Sequence, residues 1–211
     1  MLKKLIIVGA GGMGREVLQW IKDINRQKPT WEVLGFIDDN FAALDGKECD
    51  CKVVGSISEY KAGADEYLVM AIASPKAKER LVEELKNRGA KFATIIHPRV
   101  RIGEFHYIGE GTVIYPGASL SVNCKVGNFV TLLGSTIGHD VVVGDYSSIM
   151  GTCNINGGVE MGKRVFLGCQ TITVPGRKIG DDVYACAGSV IMTNIRANTK
   201  VMGNPAKKFD L

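Results

Sequence analysis

Residues 137–149 read Ile137-Gly138-His139-Asp140-Val141-Val142-Val143-Gly144-Asp145-Tyr146-Ser147-Ser148-Ile149. Aliphatic side chains fall at 137, 143 and 149, six residues apart, and Gly follows the first two. Extended in both directions, the same spacing picks out Ile102, Ile108, Ile114, Leu120, Val126 and Leu132. After one residue drops out it resumes at Ile137 and continues through Ile155, Met161, Leu167, Thr173, Ile179 and Ala185 to Ile191. Fourteen of these 16 positions are Ile, Leu, Val or Met, and Gly follows eight of them, so the pattern is not chance. A helix cannot keep a period of six on one face, and a simple strand repeats every two residues. The period matches a parallel β-helix whose short strands each send one side chain inward before a corner. At three strands per coil this predicts about five coils. The position two residues before each slot is mostly small or β-branched, as at Thr112, Ala118, Cys124, Ser147 and Cys153.

The chain upstream has another style. Residues 1–97 carry 29 charged residues and 9 Gly, whereas 98–211 carry 19 and 17, which places a domain joint near Ile96-His97-Pro98. In 1–97 strand and helix signals alternate. Leu5 to Val8 is a strand run, and Gly9 to Gly14 a turn. A helix with Val17, Leu18 and Ile21 on one face follows. Further strands are read at 33–37, 67–72 and 92–96, with a helix from Pro75 capped by Ser74. This alternation predicts a small α/β unit with a parallel sheet and right-handed crossovers. The expected domains are therefore 1–97 and 98–211, with the first covering one end of the solenoid and the tail from Val201 folding back along a side.

Composition narrows the function classes. With 45% apolar and 23% charged residues, the 211-residue chain is a compact globular protein. Its apolar runs fall far short of the roughly 18 residues of a membrane span, and Met1-Leu2-Lys3-Lys4 opens no signal peptide. A cytoplasmic protein with no membrane span is expected. A net charge of +4 without a basic cluster argues against nucleic acid as a partner. The six cysteines are expected to be reduced thiols, and Cys49-Asp50-Cys51 lacks a second ligand pair, so no metal is expected.

The combined segments carry a resemblance: Ile7-Val8-Gly9-Ala10-Gly11-Gly12-Met13-Gly14, Phe36-Ile37-Asp38-Asp39, Ile95-Ile96-His97-Pro98, Ile137 to Asp145, and Gly203-Asn204-Pro205-Ala206-Lys207. In that order they resemble the sialic-acid O-acetyltransferases and nucleotide-amino-sugar N-acetyltransferases. These are left-handed β-helix (hexapeptide-repeat) acyltransferases with a Rossmann-like first domain. The resemblance implies acetyl-CoA as co-substrate, a sugar or UDP- or dTDP-4-amino-sugar acceptor, surface glycan biosynthesis and a homotrimer. It implies substrate contacts from Gly11, Gly12, Met13, Asp38, Asp39 and Ala73, and acetyl-CoA contacts from Ser148, Cys169 and Ala187. Basic residues Arg177, Lys178, Lys207 and Lys208 are candidates for the CoA phosphates.

Gly9, Gly11 and Gly14 also fit G-x-G-x-x-G, with Asp38 following a second strand. Read alone, the motif is a dinucleotide-binding turn or a turn with no ligand at all. About 95 residues leave no separate domain for hydride transfer, which disfavours a nicotinamide enzyme. The chain departs from the amino-sugar members in carrying Met13 where they tend to have His, and Ala73-Ser74 where they tend to have Gly-Asn.

Of three histidines, His97 precedes a proline at the joint and His106 lies in an early coil. His139 follows the one-residue slip and precedes Asp140. Acyl transfer needs a base near neutrality, and His with a carboxylate partner provides one. The family places its catalytic His at this motif, which makes His139 the base and Asp140 its partner, paired through a distortion the slip supplies. Acetylation of a free sugar's hydroxyl and a non-catalytic nucleotide-binding scaffold are the alternative functions.

Overall fold

The computed structural model describes residues 2–210; Met1 and Leu211, which the readings of the N-terminus and the tail include, lie outside the described residues. β1 (Lys3–Val8) buries its last four side chains. α1 (Gly12–Gln27) lays Gly14, Val17, Leu18 and Ile21 against the sheet. β2 (Trp31–Ile37), β3 (Val53–Gly55), β4 (Glu66–Met70), α2 (Pro75–Asn87) and β5 (Lys91–Phe92) follow. The five strands form one parallel sheet in the order β3-β2-β1-β4-β5. The chain runs outward in both directions from β1 and β4, so the ends of these two strands flank the crevice where such sheets take ligands. Gly14 sets the approach of α1, since a Cβ there would overlap the Gly9 carbonyl oxygen.

Two elements differ from the sequence reading. β3 was not anticipated, because three residues with an exposed Val54 show no usable period. The strand expected over 92–96 is two strands of different sheets. The Ala93 N–H bonds Leu68 O in the first sheet, whereas the Ile95 N–H bonds Thr112 O in the solenoid.

From Ile95 the chain winds into the left-handed parallel β-helix. Its first face holds Ile95–Ile96, Val113–Ile114, Thr131–Leu132, Ser148–Ile149, Phe166–Leu167, Tyr184–Ala185 and Lys200–Met202. The tail strand Lys207–Lys208 then pairs antiparallel with Lys200–Met202, so the chain does fold back along a side. The second face runs from Arg101–Ile102 through Thr136–Ile137 to Val190–Ile191. The third runs from Tyr107–Ile108 through Val142–Val143 to Lys178–Ile179. Fourteen of the 16 repeat positions are buried, and only Ile102 and Ile108 at the first coil are half-buried. Cys124 and Cys153 fill buried wall slots, and all six cysteines are free thiols.

The first domain covers more than an end. α1 packs on the first coil through a cluster that includes Ile95, Val113 and Tyr115, while α2 lies along the first face. Lys86 pairs with Glu110, Glu79 with Arg164 at 3.0 Å, and Lys76 with Asp182 at 3.7 Å. Between them Lys78 is completely buried. Its ammonium donates to Thr131 Oγ1 (3.0 Å), Ser147 O (3.2 Å) and Ser148 Oγ (2.9 Å). Burial pulls its pKa down from 10.5 to about 7.

Candidate active site

His139 and Asp140 form the corner between the strand Thr136–Ile137 of the second face and Val142–Val143 of the third. His139 Nδ1 lies 2.7 Å from Asp140 Oδ2. Asp140 Oδ1 accepts from Asn123 Nδ2 at 3.2 Å. Bonding to His139 first, and to Asn123 second, holds the Asp140 carboxyl below its ordinary range, so it is ionised at neutral pH. An ionised carboxylate at that distance keeps the imidazole proton on Nδ1 and leaves the Nε2 lone pair free.

The distortion that lets neighbours pair is not the slip. The slip falls one corner earlier, where Gly134 has φ +44 and the Ser135 hydroxyl bridges Leu133 O, Met150 O and the Cys153 N–H. Asp140 instead has φ +59, the left-handed corner conformation shared with Asn123 (+58), Phe129 (+54) and Tyr146 (+61). An ordinary corner of the solenoid therefore turns Asp140 back onto His139.

The imidazole opens onto a groove of ≈ 650 Å³ along the second face, lined by Ser121, Thr136, Asn156, Gly157 and Pro175 among others. Gly157 was not singled out in the sequence. A Cβ there would run into His139 Nε2 and Cε1, so the glycine makes the seat in which the imidazole lies. Its only sequence signal is the Gly157-Gly158 pair, where one corner glycine would suffice. Gly157→Ala is expected to displace the ring and lower kcat roughly 10- to 100-fold with an unchanged thermal midpoint. Steady-state kinetics beside a melting curve decides this, and a kcat within twofold of wild type refutes it.

The other two histidines are structural. His97 is buried edge-on against Trp20, accepts the Arg99 N–H on Nδ1 and faces Asp23 at 3.4 Å. His106 is exposed and bonds Gly103 O.

At the first domain, Gly11 is the N-cap of α1 and supplies no side-chain cap, and there is no acidic residue in the first turn. Around Gly11 a Cβ would meet nothing, and around Gly12 only the tip of Arg15, so the helix start is open. Its amides suit a phosphate. Asp38 and Asp39 are already engaged. Asp38 accepts from Ala10 N (2.8 Å) and Asn40 N (2.9 Å), and Asp39 from Ser58 N (3.0 Å). Both help to shape the turn and its flanking loop. Met13 packs on the domain core, and Ala73 is half-buried beside the cap residue of α2.

Among the residues expected at acetyl-CoA, Cys169 and Ala187 occupy equivalent corners of successive coils, between the first and second faces, and Cys169 is exposed. Ser148 is a correction. It is completely buried under α2, and its hydroxyl accepts from Lys78, which closes it to a cofactor. Lys178 and Lys208 pair with Glu160 and Asp210. Arg177 and Lys207 have no carboxylate partner among the described residues. No cluster able to hold a metal occurs among the described residues, and no helix is long and apolar enough to cross a membrane.

Residues 4–85 match the PglD N-terminal domain family. Over 212 residues the chain is 29% identical to the GDP-perosamine N-acetyltransferase of Escherichia coli O157:H7, covering 96% of this chain and 95% of that one. The first domain is thus similar to that family, and nearly the whole chain to that acetyltransferase. The fold is shared with the acetyltransferase domain of PglB from Neisseria gonorrhoeae FA1090 in complex with acetyl coenzyme A. That match has a TM-score of 0.89 at 23% identity and covers 99% and 100% of the two chains. PerB from Caulobacter crescentus, in complex with CoA and GDP-perosamine, superposes with a TM-score of 0.88 at 23% identity, covering 100% and 99%. At such identities the likeness speaks for the fold.

Proposed function

We propose that this acyltransferase moves the acetyl group of acetyl-CoA to the amine of a nucleoside-diphosphate-linked amino-sugar, with His139 as general base. The observation that carries it is the His139–Asp140 pair. Its Nε2 has no hydrogen-bond partner among the described residues and faces a groove, on a chain 29% identical over nearly its whole length to a nucleotide-sugar N-acetyltransferase. Nε2 takes a proton as the amine nitrogen attacks the thioester carbonyl. The resulting imidazolium is stabilised by Asp140 2.7 Å away. Collapse of the tetrahedral intermediate expels the CoA thiolate, which takes up a proton, so no acyl-enzyme and no cysteine nucleophile are needed.

The open start of α1 at Gly11 and Gly12 takes the diphosphate, and the column of Cys169 and Ala187 takes the cofactor. Within one chain that column and His139 lie on opposite edges of the second face. A trimer, in which one chain's His139 meets its neighbour's cofactor column, brings the two together. The division of labour between 1–97 and 98–211 follows, acceptor in the first and cofactor in the second.

The test is thiol release from acetyl-CoA against a panel of GDP-, UDP- and dTDP-linked amino-sugars and free sugars. Turnover with one nucleotide amino-sugar is expected. Turnover confined to free sugars would move the reaction to O-acetylation and leave the α1 turn without a ligand. Absence of both turnover and CoA binding would remove the enzyme reading.

A further inference from the structure

We propose that Asn123 is a positioning residue for the His139–Asp140 pair. From the corner of the preceding coil its amide fixes the plane of the Asp140 carboxylate and, through it, the imidazole. The proposal rests on the general-base reading above and adds what holds that base in its working orientation.

Packing alone does not fix the pair, because the side chains of His139 and Asp140 are 65% and 56% exposed. The carboxylate is instead held at two points. Oδ2 faces His139 Nδ1 at 2.7 Å, and Oδ1 accepts from Asn123 Nδ2 at 3.2 Å. The donor is itself anchored. The Asn123 N–H bonds Glu104 O at 3.1 Å in the coil before it. Its neighbour Cys124 is completely buried, and the thiol donates at 3.1 Å to Gly138 O, the carbonyl that precedes His139. The Asp140 N–H in turn bonds Val122 O at 3.1 Å, the carbonyl that precedes Asn123. With the two corners stitched together on both sides of the amide, Asn123 is a fixed reference for a carboxylate that would otherwise turn in solvent.

The competing account of Asn123 is conformational. Its φ is +58, and Asn tolerates the left-handed region better than most residues with a side chain. Conformation does not demand an amide, however. The same corner position holds Phe105 (φ +58) in the preceding coil, and Gly158 and Gly176 (both φ +68) in later ones. At 123 the corner residue also carries a donor that reaches the carboxylate of the next coil. Being neutral, that donor orients Asp140 without cancelling its charge. The full carboxylate remains to hold the proton on Nδ1 and to stabilise the imidazolium.

Asn123→Gly separates the two accounts, since glycine keeps the left-handed corner and deletes the amide. Steady-state kinetics of the full chain uses acetyl-CoA and the nucleotide amino-sugar selected by the turnover panel. The kcat of Asn123→Gly is expected to fall about tenfold, with both KM values and the thermal midpoint unchanged. In an Asp140→Gly background the same substitution should cost nothing further, because the amide acts through Asp140. A second readout needs no substrate. By nitrogen NMR the neutral His139 ring, protonated on Nδ1 in wild type, should become a mixture of Nδ1–H and Nε2–H forms in Asn123→Gly. A kcat within twofold of wild type, an equal loss in the Asp140→Gly background, or a ring that stays wholly Nδ1–H in the variant would each overturn the positioning role. The proposed reaction would survive all three. A His139→Ala variant as active as wild type would overturn the general-base reading, and the role of Asn123 with it.

Discussion

His139→Ala lowers kcat by about 10²- to 10⁴-fold, the range that a positioned general base contributes. The KM values for acetyl-CoA and acceptor should stay near wild type, because in the proposed mechanism the imidazole acts by accepting the proton released as the amine attacks. The fold should not notice. The His139 side chain is 65% exposed and its one side-chain partner among the described residues is Asp140, so the thermal midpoint is expected to hold. Asp140→Asn makes the argument sharper. An amide can donate to Nδ1, which would push the imidazole proton to Nε2 and remove the base without changing the shape of the corner. A loss approaching that of His139→Ala is expected from this isosteric change. Steady-state kinetics on both variants reads the result. A kcat within threefold of wild type for His139→Ala would end the general-base assignment.

The second large effect belongs to Lys78 and is one of stability. Its ammonium is shut between α2 and the first face with hydroxyl and carbonyl partners only. Desolvation by burial accounts for the fall of its pKa from 10.5 to about 7. The unfolded chain keeps the proton up to its ordinary pKa near 10.5, whereas the folded chain releases it from about 7. Between these values the unfolded state binds more protons, so wild-type stability rises with pH across the window. Below about 7 both states are protonated and the full cost of burying the charge is present. Lys78→Met has no such group. Between pH 7 and 9.5 the stability of wild type is therefore expected to rise relative to Lys78→Met by about 3 kcal/mol, from 1.36 kcal/mol per pKa unit. Denaturant titrations of both proteins at several pH values measure this difference, in which other titrating groups cancel. A difference that stays flat over the window would show that Lys78 is protonated in the folded protein throughout. At any single pH the sign also depends on the Thr131 and Ser148 hydroxyls that Met would leave unpaired.

Much of the site was legible because solenoid geometry is periodic. Spacing alone marked the inward positions and the small wall residues, and the motif around His139 marked the histidine that pairs with Asp140. The partnership of His139 with Asp140 was anticipated for the wrong cause. A slip in spacing is visible in a sequence, but a left-handed corner at a non-glycine residue is not. Asn123 and Gly157 were missed for a related reason. They reach the site from neighbouring coils, 17 residues before Asp140 and 18 after His139, as one rung of the solenoid over another.

By itself the sequence determined the two architectures, the period of the coils and the glycine turn before α1. Each is written in local spacing, and local spacing is what periodic backbone structure translates into faces and corners. Tertiary structure alone decided what happens where α2 meets the first face. There Ser148 is sealed by Lys78, and Arg164 is held by Glu79 of α2. Those pairings join residues as much as 85 positions apart. No periodicity encodes them, because they depend on how one finished domain packs against another, and on which polar groups that packing shuts away from water.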